Sequence, residues 1–365
     1  MAGFPLEPGA TIGILGGGQL GRMLVTAATE LGFDVAVLSP RDNPPDARVA
    51  VHAITAAYDD DAALQELAEL SDVITFEFEN VPARALERLA ELGAVVAPGP
   101  KALAFTQDRV VEKDFVSGLG IDTVDYVAID GPEDIPAALE RLGAPALLKT
   151  RREGYDGKGQ VWIRHAADAA DAFAAIGAKP AILEAKASFV REISVIAARG
   201  HGEQLAFYPV GQNTHRDGIL KTTLAPAPGW EAAQEAAEAI ATKILEALDY
   251  VGVLGVELFE LDDGRLLVNE IAPRVHNTGH WTMDGTICGQ FEQHIRAVAG
   301  WPLGSTQPFA EVEMENLLGD EVDGWPYFAA EPGTKLHFYG KGEARPGRKM
   351  GHLNRLRPLP DPQEP

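Results

Sequence analysis

The chain holds one cysteine in 365 residues, few basic side chains and no long apolar run. A single cysteine cannot form an internal disulfide, and the neighbours of Cys288 bring no cation that would favour a thiolate. It reads as a small core residue rather than a nucleophile. No stretch approaches the roughly 18 consecutive apolar residues of a membrane span. The first ten residues lack the basic and apolar regions of a secretion signal, so a cytoplasmic protein without a membrane partner is expected. Only 31 Lys and Arg stand against 54 Asp and Glu, and the formal charge of -23 repels polyanions and disfavours nucleic acid as a partner. What is present is ordinary for a globular chain: 46% apolar, 23% charged, and length enough for roughly two to three domains of an enzyme.

Val- and Ile-rich runs at Thr11 to Leu15, Val35 to Leu38, Val73 to Phe78 and Val95 to Ala97 alternate with amphipathic stretches near Leu20 to Leu31, Ala62 to Leu70 and Ala83 to Leu92. This punctuation predicts a mostly parallel sheet with covering helices over residues 1–106. From Gln107 the pattern changes. A helix over Arg109 to Leu119 precedes strands at Tyr126 to Ile129, Leu147 to Thr150, Val161 to Arg164 and Ala181 to Glu184, a small α+β unit over 107–190. Longer strands follow at Ile193 to Ala198, Leu205 to Val210, Val253 to Leu261 and Leu266 to Ile271, with a helix over Trp230 to Leu248, giving an α+β unit with an antiparallel sheet over 191–318. A Gly-rich, basic segment over 319–357 reads as a small β unit, and the Pro-rich tail 358–365 as disordered. The fold class is therefore α/β.

Gly16 to Arg22 contains Gly-x-Gly-x-x-Gly after a strand and at the start of a helix, where backbone N–H groups favour an anion. A dinucleotide needs an acidic residue at the end of the second strand, and that strand ends instead in Ser39-Pro40-Arg41. NAD is disfavoured, Arg41 leaves NADP only narrowly open, and a phosphate-bearing substrate fits better.

Asp263-Gly264 signals a two-residue hairpin turn. If Asp262 pairs with Arg265, counting back along both strands sets Glu257 directly opposite Glu270. Like charges facing each other in a mostly apolar pair of strands destabilise it unless something is held between them, and a hard divalent cation on oxygen ligands is that something. Mg²⁺ carried with nucleotide phosphates is the expectation, with Mn²⁺ as a substitute.

Asn269 to Trp281, NEIAPRVHNTGHW, resembles the active-site signature of ATP-grasp enzymes, and specifically of the 5-(carboxyamino)imidazole ribonucleotide synthase family. GGGQLGRML at Gly16, FEFENVP at Phe76, YDGKGQ at Tyr155, HRDGIL at His215 and PGRKMGH at Pro346 agree with that family and span nearly the whole chain. The resemblance implies an ATP-grasp fold with a Rossmann-like N-terminal domain, a lid subdomain and a catalytic subdomain. It implies phosphorylation of bicarbonate by ATP to carboxyphosphate, and carboxylation of the amine of 5-aminoimidazole ribonucleotide, in a homodimer. Arg109 and Lys149 would contact the ATP phosphates. The loop Gly154, Tyr155, Asp156, Gly157, Lys158, Gly159 and Gln160 would close over them, with Lys158 where the family more usually has arginine. Glu184, Ala185, Lys186 and Ala187 would meet the adenine edge, Glu192 the ribose, and His215 the nucleotide. Glu257 and Glu270 would bind Mg²⁺ beside Asn269. Arg274, His276 and Asn277 would form the bicarbonate and carboxyphosphate pocket and, with Lys149, carry the catalysis. The ribonucleotide would contact Gly18, Gln19, Leu20, Glu79, Asn80, Tyr155, Asp156, Lys158, Arg348 and Lys349, with Glu79 preferred to Glu77.

Competing expectations are another ATP-grasp carboxylate–amine ligase using formate or an amino acid, and a non-catalytic nucleotide-binding regulator. Zinc on His276 and His280 at i and i+4 is disfavoured, because Asn277-Thr278-Gly279 is poor helix and no third soft ligand is near. The scarce positive charge is clustered: Lys335 to Arg357 carries seven Lys and Arg against one acid, and Lys149 to His165 five against two. Small anions are thus compatible with an acidic body.

Overall fold

The computed structural model describes residues 3–154, 157–202 and 204–359. The N-terminal region runs β1 (Thr11–Leu15), α1 (Gln19–Glu30), β2 (Asp34–Ser39), β3 (His52–Thr55), α2 (Asp61–Leu70), β4 (Val73–Phe76) and α3 (Ala83–Glu91). The four strands are parallel in the order β3-β2-β1-β4. Helices cover the sheet, so β1, β2 and β4 are buried and appear in the sequence as unbroken apolar runs. Two strand readings are corrected. β4 stops at Phe76 rather than Phe78, and Val95 to Ala97 makes only a bridge from Val96 to Ile74. β3 gave no such signal because it is a largely exposed edge strand.

Two helices, α4 (Pro100–Thr106) and α5 (Arg109–Gly118), lead onward. Asp108 caps α5 by accepting from the Val110 amide at 3.0 Å. The next unit comprises β5 (Tyr126–Ile129), α6 (Ile135–Leu142), β6 (Ala146–Thr150), β7 (Gln160–Ile163), α7 (Ala169–Ala175) and β8 (Ala181–Ala185), with an antiparallel sheet in the order β5-β8-β6-β7.

The remaining chain contributes β9 (Arg191–Arg199), β10 (Leu205–Phe207), β11 (Gly211–Arg216), β12 (Ile219–Ala225), α8 (Glu231–Ala247), β13 (Gly252–Glu260), β14 (Leu266–Ala272), α9 (Thr282–Gly285), α10 (Gln290–Val298), β15 (Ala310–Leu318), α11 (Trp325–Phe328), β16 (Thr334–Phe338) and β17 (Lys349–Pro358). Among the described residues they form one antiparallel sheet, β14-β13-β9-β11-β12-β15-β17-β16, with β10 pairing β9. The segment read as a separate β unit from residue 319 therefore continues this sheet. Pro358 pairs with Ala310, so the tail does not begin there, and the rest of the expected tail from residue 360 lies outside the described residues. The hairpin β11–β12 and the strand β15 were not expected, because their polar and charged residues break the apolar run.

On α8 a buried stripe of Ala233, Ala237, Ala241, Ile244 and Leu245 packs on β9 and β14. Full burial of Ile244 and Leu245 contributes about 1.5–3 kcal/mol each. On the other face α10 packs against β13 and α1. Its buried His294 joins Thr75 of β4 at 2.8 Å and accepts from the Val253 amide at 3.0 Å, tying the parallel sheet to the antiparallel one.

Candidate active site

Glu257 on β13 and Glu270 on β14 are direct cross-strand partners. The turn that sets them is not the expected one. Leu261 pairs with Arg265, leaving Asp262, Asp263 and Gly264 as a three-residue loop with Gly264 at φ +82. That shifts the register by one as far as Leu258 and Val268, and Asn269 then bulges out of β14 and restores it. The bulge re-aims Asn269 toward the carboxylates, its amide nitrogen lying 3.5 Å from Glu257 Oε2.

His276 closes this group from the loop after β14, its Nε2 3.7 Å from Glu257 Oε1. Ligand atoms of Glu257, Glu270 and His276 all lie within 4.8 Å of one another. Burial and the neighbouring Glu270 push Glu257 up to about 7. Burial acts on Glu270 in the same sense, but Arg109 and Lys149 outweigh it and hold that carboxyl down at about 2. Facing carboxylates, with Asn269 Oδ1 buried and unpartnered beside them, make an oxygen-rich set suited to Mg²⁺. Burial and Arg274 press His276 down to about 3, so the imidazole is neutral. Zinc on His276 and His280 is not supported. Residues 277–279 form a single 3-10 turn, and His280 turns away to stack on His352 and meet Gln290 at 3.0 Å.

The cations expected at a nucleotide gather on one side. Arg109 donates to Glu270 Oε2 at 3.1 Å and to the carbonyl of Gly154 at 3.1 Å. Lys149 on β6 pairs with Glu184 Oε2 on β8 at 2.6 Å. Burial raises Glu184, but Lys149 and Lys113 outweigh it and hold the carboxyl below the usual carboxylate range. Its side chain is thus committed to lysines, and its backbone, like that of Ala185, is paired inside the sheet, so the accessible backbone begins beyond β8 at exposed Lys186 and half-buried Ala187. Glu192 on β9 lies 2.5 Å from His215 Nδ1 on β11. Tyr155 and Asp156 fall outside the described residues. The rest of their loop lies against the β11–β12 turn: a Cβ on Gly157 would sit 2.8 Å from the Asp217 carbonyl, and one on Gly218 would sit 2.7 Å from Gly157 Cα. Only glycines allow that approach. Gln160 reaches the same turn, Gly159 crosses Thr150, and Lys158 follows the Gly157 bend.

Toward the N-terminal sheet, Arg274 pairs with Glu79 through Nε and Oε2. Both polar atoms of the Asn277 side chain are enclosed and unpartnered. The glycine loop differs from expectation in one respect. Glu77, buried beneath it, accepts from the amides of Gly17 at 3.0 Å and Gly21 at 3.2 Å, so two of its anion-binding groups already hold a carboxylate of the chain itself. Gly18, just before α1, borders a cleft of about 330 Å³ lined by Arg41, Asp42, Arg48, Lys341 and Arg348, whereas Gln19 and the buried Leu20 that open the helix are not among its lining residues. Arg348 is thus placed beside Gly18. Lys349 is not among the cleft residues; its charge acts on Glu257 and His276 instead. Asn80 follows Glu79 in the turn after β4, half-buried. Cys288 is buried with its thiol pushed up to about 12 by burial and Glu292, which removes it as a nucleophile.

Arg48, Lys341, Lys113 and Gln290 were not singled out in the sequence. Arg48 and Lys341 come from loops almost 300 residues apart and share no spacing signal. Gln290 is fully buried and clamps the His276 backbone at both ends, accepting from its amide at 2.8 Å and donating to its carbonyl at 2.7 Å. Lys113 is nearly as enclosed; burial lowers its ammonium while Glu184 opposes.

Family models match the chain in three successive pieces: a ribonucleotide synthetase preATP-grasp domain over 9–107, an ATP-grasp domain over 114–291, and a phosphoribosylaminoimidazole carboxylase C-terminal domain over 313–359. An N5-carboxyaminoimidazole ribonucleotide synthase of Brucella melitensis is 53% identical over 97% of this chain and 98% of its own length. One from Pseudomonas aeruginosa is 46% identical over 93% of each. Among solved structures, an ADP complex of an N5-carboxyaminoimidazole ribonucleotide synthetase superposes with a TM-score of 0.93 at 43% identity, covering 96% of this chain and 93% of its own. The Aspergillus clavatus synthase in complex with ADP and 5-aminoimidazole ribonucleotide gives 0.90 at 32% identity, covering 96% and 94%.

Proposed function

The chain belongs to the N5-carboxyaminoimidazole ribonucleotide synthase family of ATP-grasp ligases, and from that premise we propose how its own residues perform the reaction. That reaction is the ATP-dependent carboxylation of 5-aminoimidazole ribonucleotide to N5-carboxyaminoimidazole ribonucleotide in purine biosynthesis. A bicarbonate oxygen attacks the γ-phosphorus and the bond to ADP breaks. The ribonucleotide amine then attacks the carbon of carboxyphosphate, phosphate leaves, and the amine gives up its proton.

Arg109 and Lys149 neutralise the phosphates, Glu192 and His215 take the nucleoside, and the backbone of Lys186 and Ala187 takes the adenine. Glu257 and Glu270 would hold Mg²⁺, or Mn²⁺ in its place, and the cation would supply positive charge to offset that of the ATP phosphates. Arg274 pairs with bicarbonate, and neutral His276 hydrogen-bonds it without adding charge. Asn277 supplies two further polar groups to the same pocket. The loop Gly154 to Gln160 excludes water from carboxyphosphate. The ribonucleotide phosphate enters the cleft of Arg41, Arg48, Lys341 and Arg348 at the N-terminus of α1. The observation that carries these roles is Arg109, whose guanidinium holds the metal-side Glu270 and the loop carbonyl of Gly154 at once.

A homodimer is supported by exposed Ile287 and Phe309, which flank the Thr286–Pro308 bridge on adjacent segments. A cytoplasmic location fits phosphorylated substrates that do not cross membranes unaided, and none of the described helices is long and apolar enough to span one. The test is ADP release from ATP and bicarbonate, with and without 5-aminoimidazole ribonucleotide. Stimulation by that ribonucleotide is expected. Stimulation only by a different amine, or no turnover, would overturn the assignment.

A further inference from the structure

The described cations near the nucleotide side of the site include one that the mechanism leaves unused. Lys113 lies on α5, one turn beyond Arg109, with a side chain only 3% exposed. α5 packs against β14, the last strand of the sheet on that side among the described residues, beside the isolated bridge from Thr123 to Val268. From there Lys113 Nζ donates to the carbonyl of Asn269 at 3.2 Å and to Thr123 Oγ1 at 3.1 Å. On its other side it stands 3.6 Å from Glu184 Oε1, an ionic contact longer than a hydrogen bond. Glu184 Oε1 has no hydrogen-bond partner, while Oε2 holds Lys149 at 2.6 Å. One buried ammonium thus touches both the strand that carries the metal carboxylate and the carboxylate that restrains the phosphate-facing lysine.

We propose that Lys113 is a positioning residue for phosphoryl transfer: it shares the charge of Glu184 so that Lys149 is free to follow the γ-phosphate, and it anchors the bulge at Asn269 that aims Glu270. The inference rests on the nucleotide role given above to Lys149. Without Lys113, Glu184 is a buried carboxylate with one remaining partner, and Lys149 cannot leave it without stranding that charge. The loss falls on an interaction made as the phosphoryl group moves, so it appears in kcat more than in ATP binding.

The test is a double-substitution cycle of Lys113→Met and Glu184→Gln, read by steady-state turnover with all three substrates and by calorimetric titration of Mg²⁺ and ADP. Lys113→Met should lower kcat ten- to a hundredfold while the KM for ATP and the affinity for ADP stay within threefold. Adding Glu184→Gln should restore at least fivefold of kcat, because the charge that captures Lys149 has gone. A purely structural lysine predicts the reverse, a double variant no faster than the single one. Lys113→Gln keeps a donor for Asn269 and Thr123 but no charge; it should show the same loss and the same rescue, and it serves if the methionine variant does not fold. Wild-type kcat in either Lys113 variant, or a cycle without rescue, overturns the proposal. An inactive wild-type protein would count instead against the functional reading.

Discussion

Glu77 caps α1 from just beyond a neighbouring strand, and that role can be weighed. Gly18 precedes the helix and has no side chain to satisfy its first-turn amides, so Glu77, directly after β4, accepts from Gly21 in that turn and from Gly17 just before it. Burial pushes its carboxyl above the usual range, which the two amides and Arg274 oppose. In Glu77→Gln one amide keeps an acceptor while the other faces an NH₂ group. A hydrogen bond to a charged group is worth about 1.5–3 kcal/mol, and the neutral amide is less costly to bury, so we predict a net loss near the low end, about 2 kcal/mol. That corresponds to an opening equilibrium about thirtyfold larger. Hydrogen exchange by mass spectrometry should show it in a peptide covering Gly16 to Arg22. The KM for the ribonucleotide should rise, since its phosphate site adjoins Gly18, whereas the KM for ATP should not. Exchange within threefold of wild type, or an equal rise in both KM values, would refute the reasoning.

Three further outcomes are expected. Glu257→Gln should abolish Mg²⁺-nucleotide turnover, and near wild-type activity would remove Glu257 from the metal site. Arg348→Met should raise the KM for the ribonucleotide at least tenfold with little change in the KM for ATP, and added salt should weaken wild-type binding more than that of the variant; equal effects on both substrates would place Arg348 elsewhere. Burial holds His294 neutral with its folded value down at about 4, so unfolding takes up a proton below about pH 6.5 and the wild-type protein loses stability there. His294→Gln removes that uptake. Its stability deficit should therefore shrink by about 1.4 kcal/mol between pH 7.5 and 5.5, and a deficit independent of pH in denaturant titrations would contradict the burial argument.

Much of the site was legible because it is local. Glu257 and Glu270 lie on one hairpin, and their opposition was read correctly although the turn was not. A three-residue loop displaced the register, and the bulge at Asn269 returned it. The choice between Glu77 and Glu79 was not legible, because alternation places both on one face while only packing assigns one to the glycine loop and the other to Arg274. Lys113 was illegible for a similar reason. On a helix beside Arg109 and Glu112 it looks like one more solvated charge, and only the docking of α5 on β14 buries it.

The sequence by itself determined the alternation of strand and helix, the glycine loop and the facing carboxylates, since each is written in neighbouring residues whose spacing the backbone geometry fixes, while the class of reaction followed from the resemblance to the ATP-grasp family. Tertiary structure alone decided which charges meet. The cleft of Arg41, Arg48, Lys341 and Arg348 and the sharing of Glu184 by Lys149 and Lys113 join segments far apart in the chain. Electrostatic energy there depends on distance and burial, and neither is set until the sheets have packed.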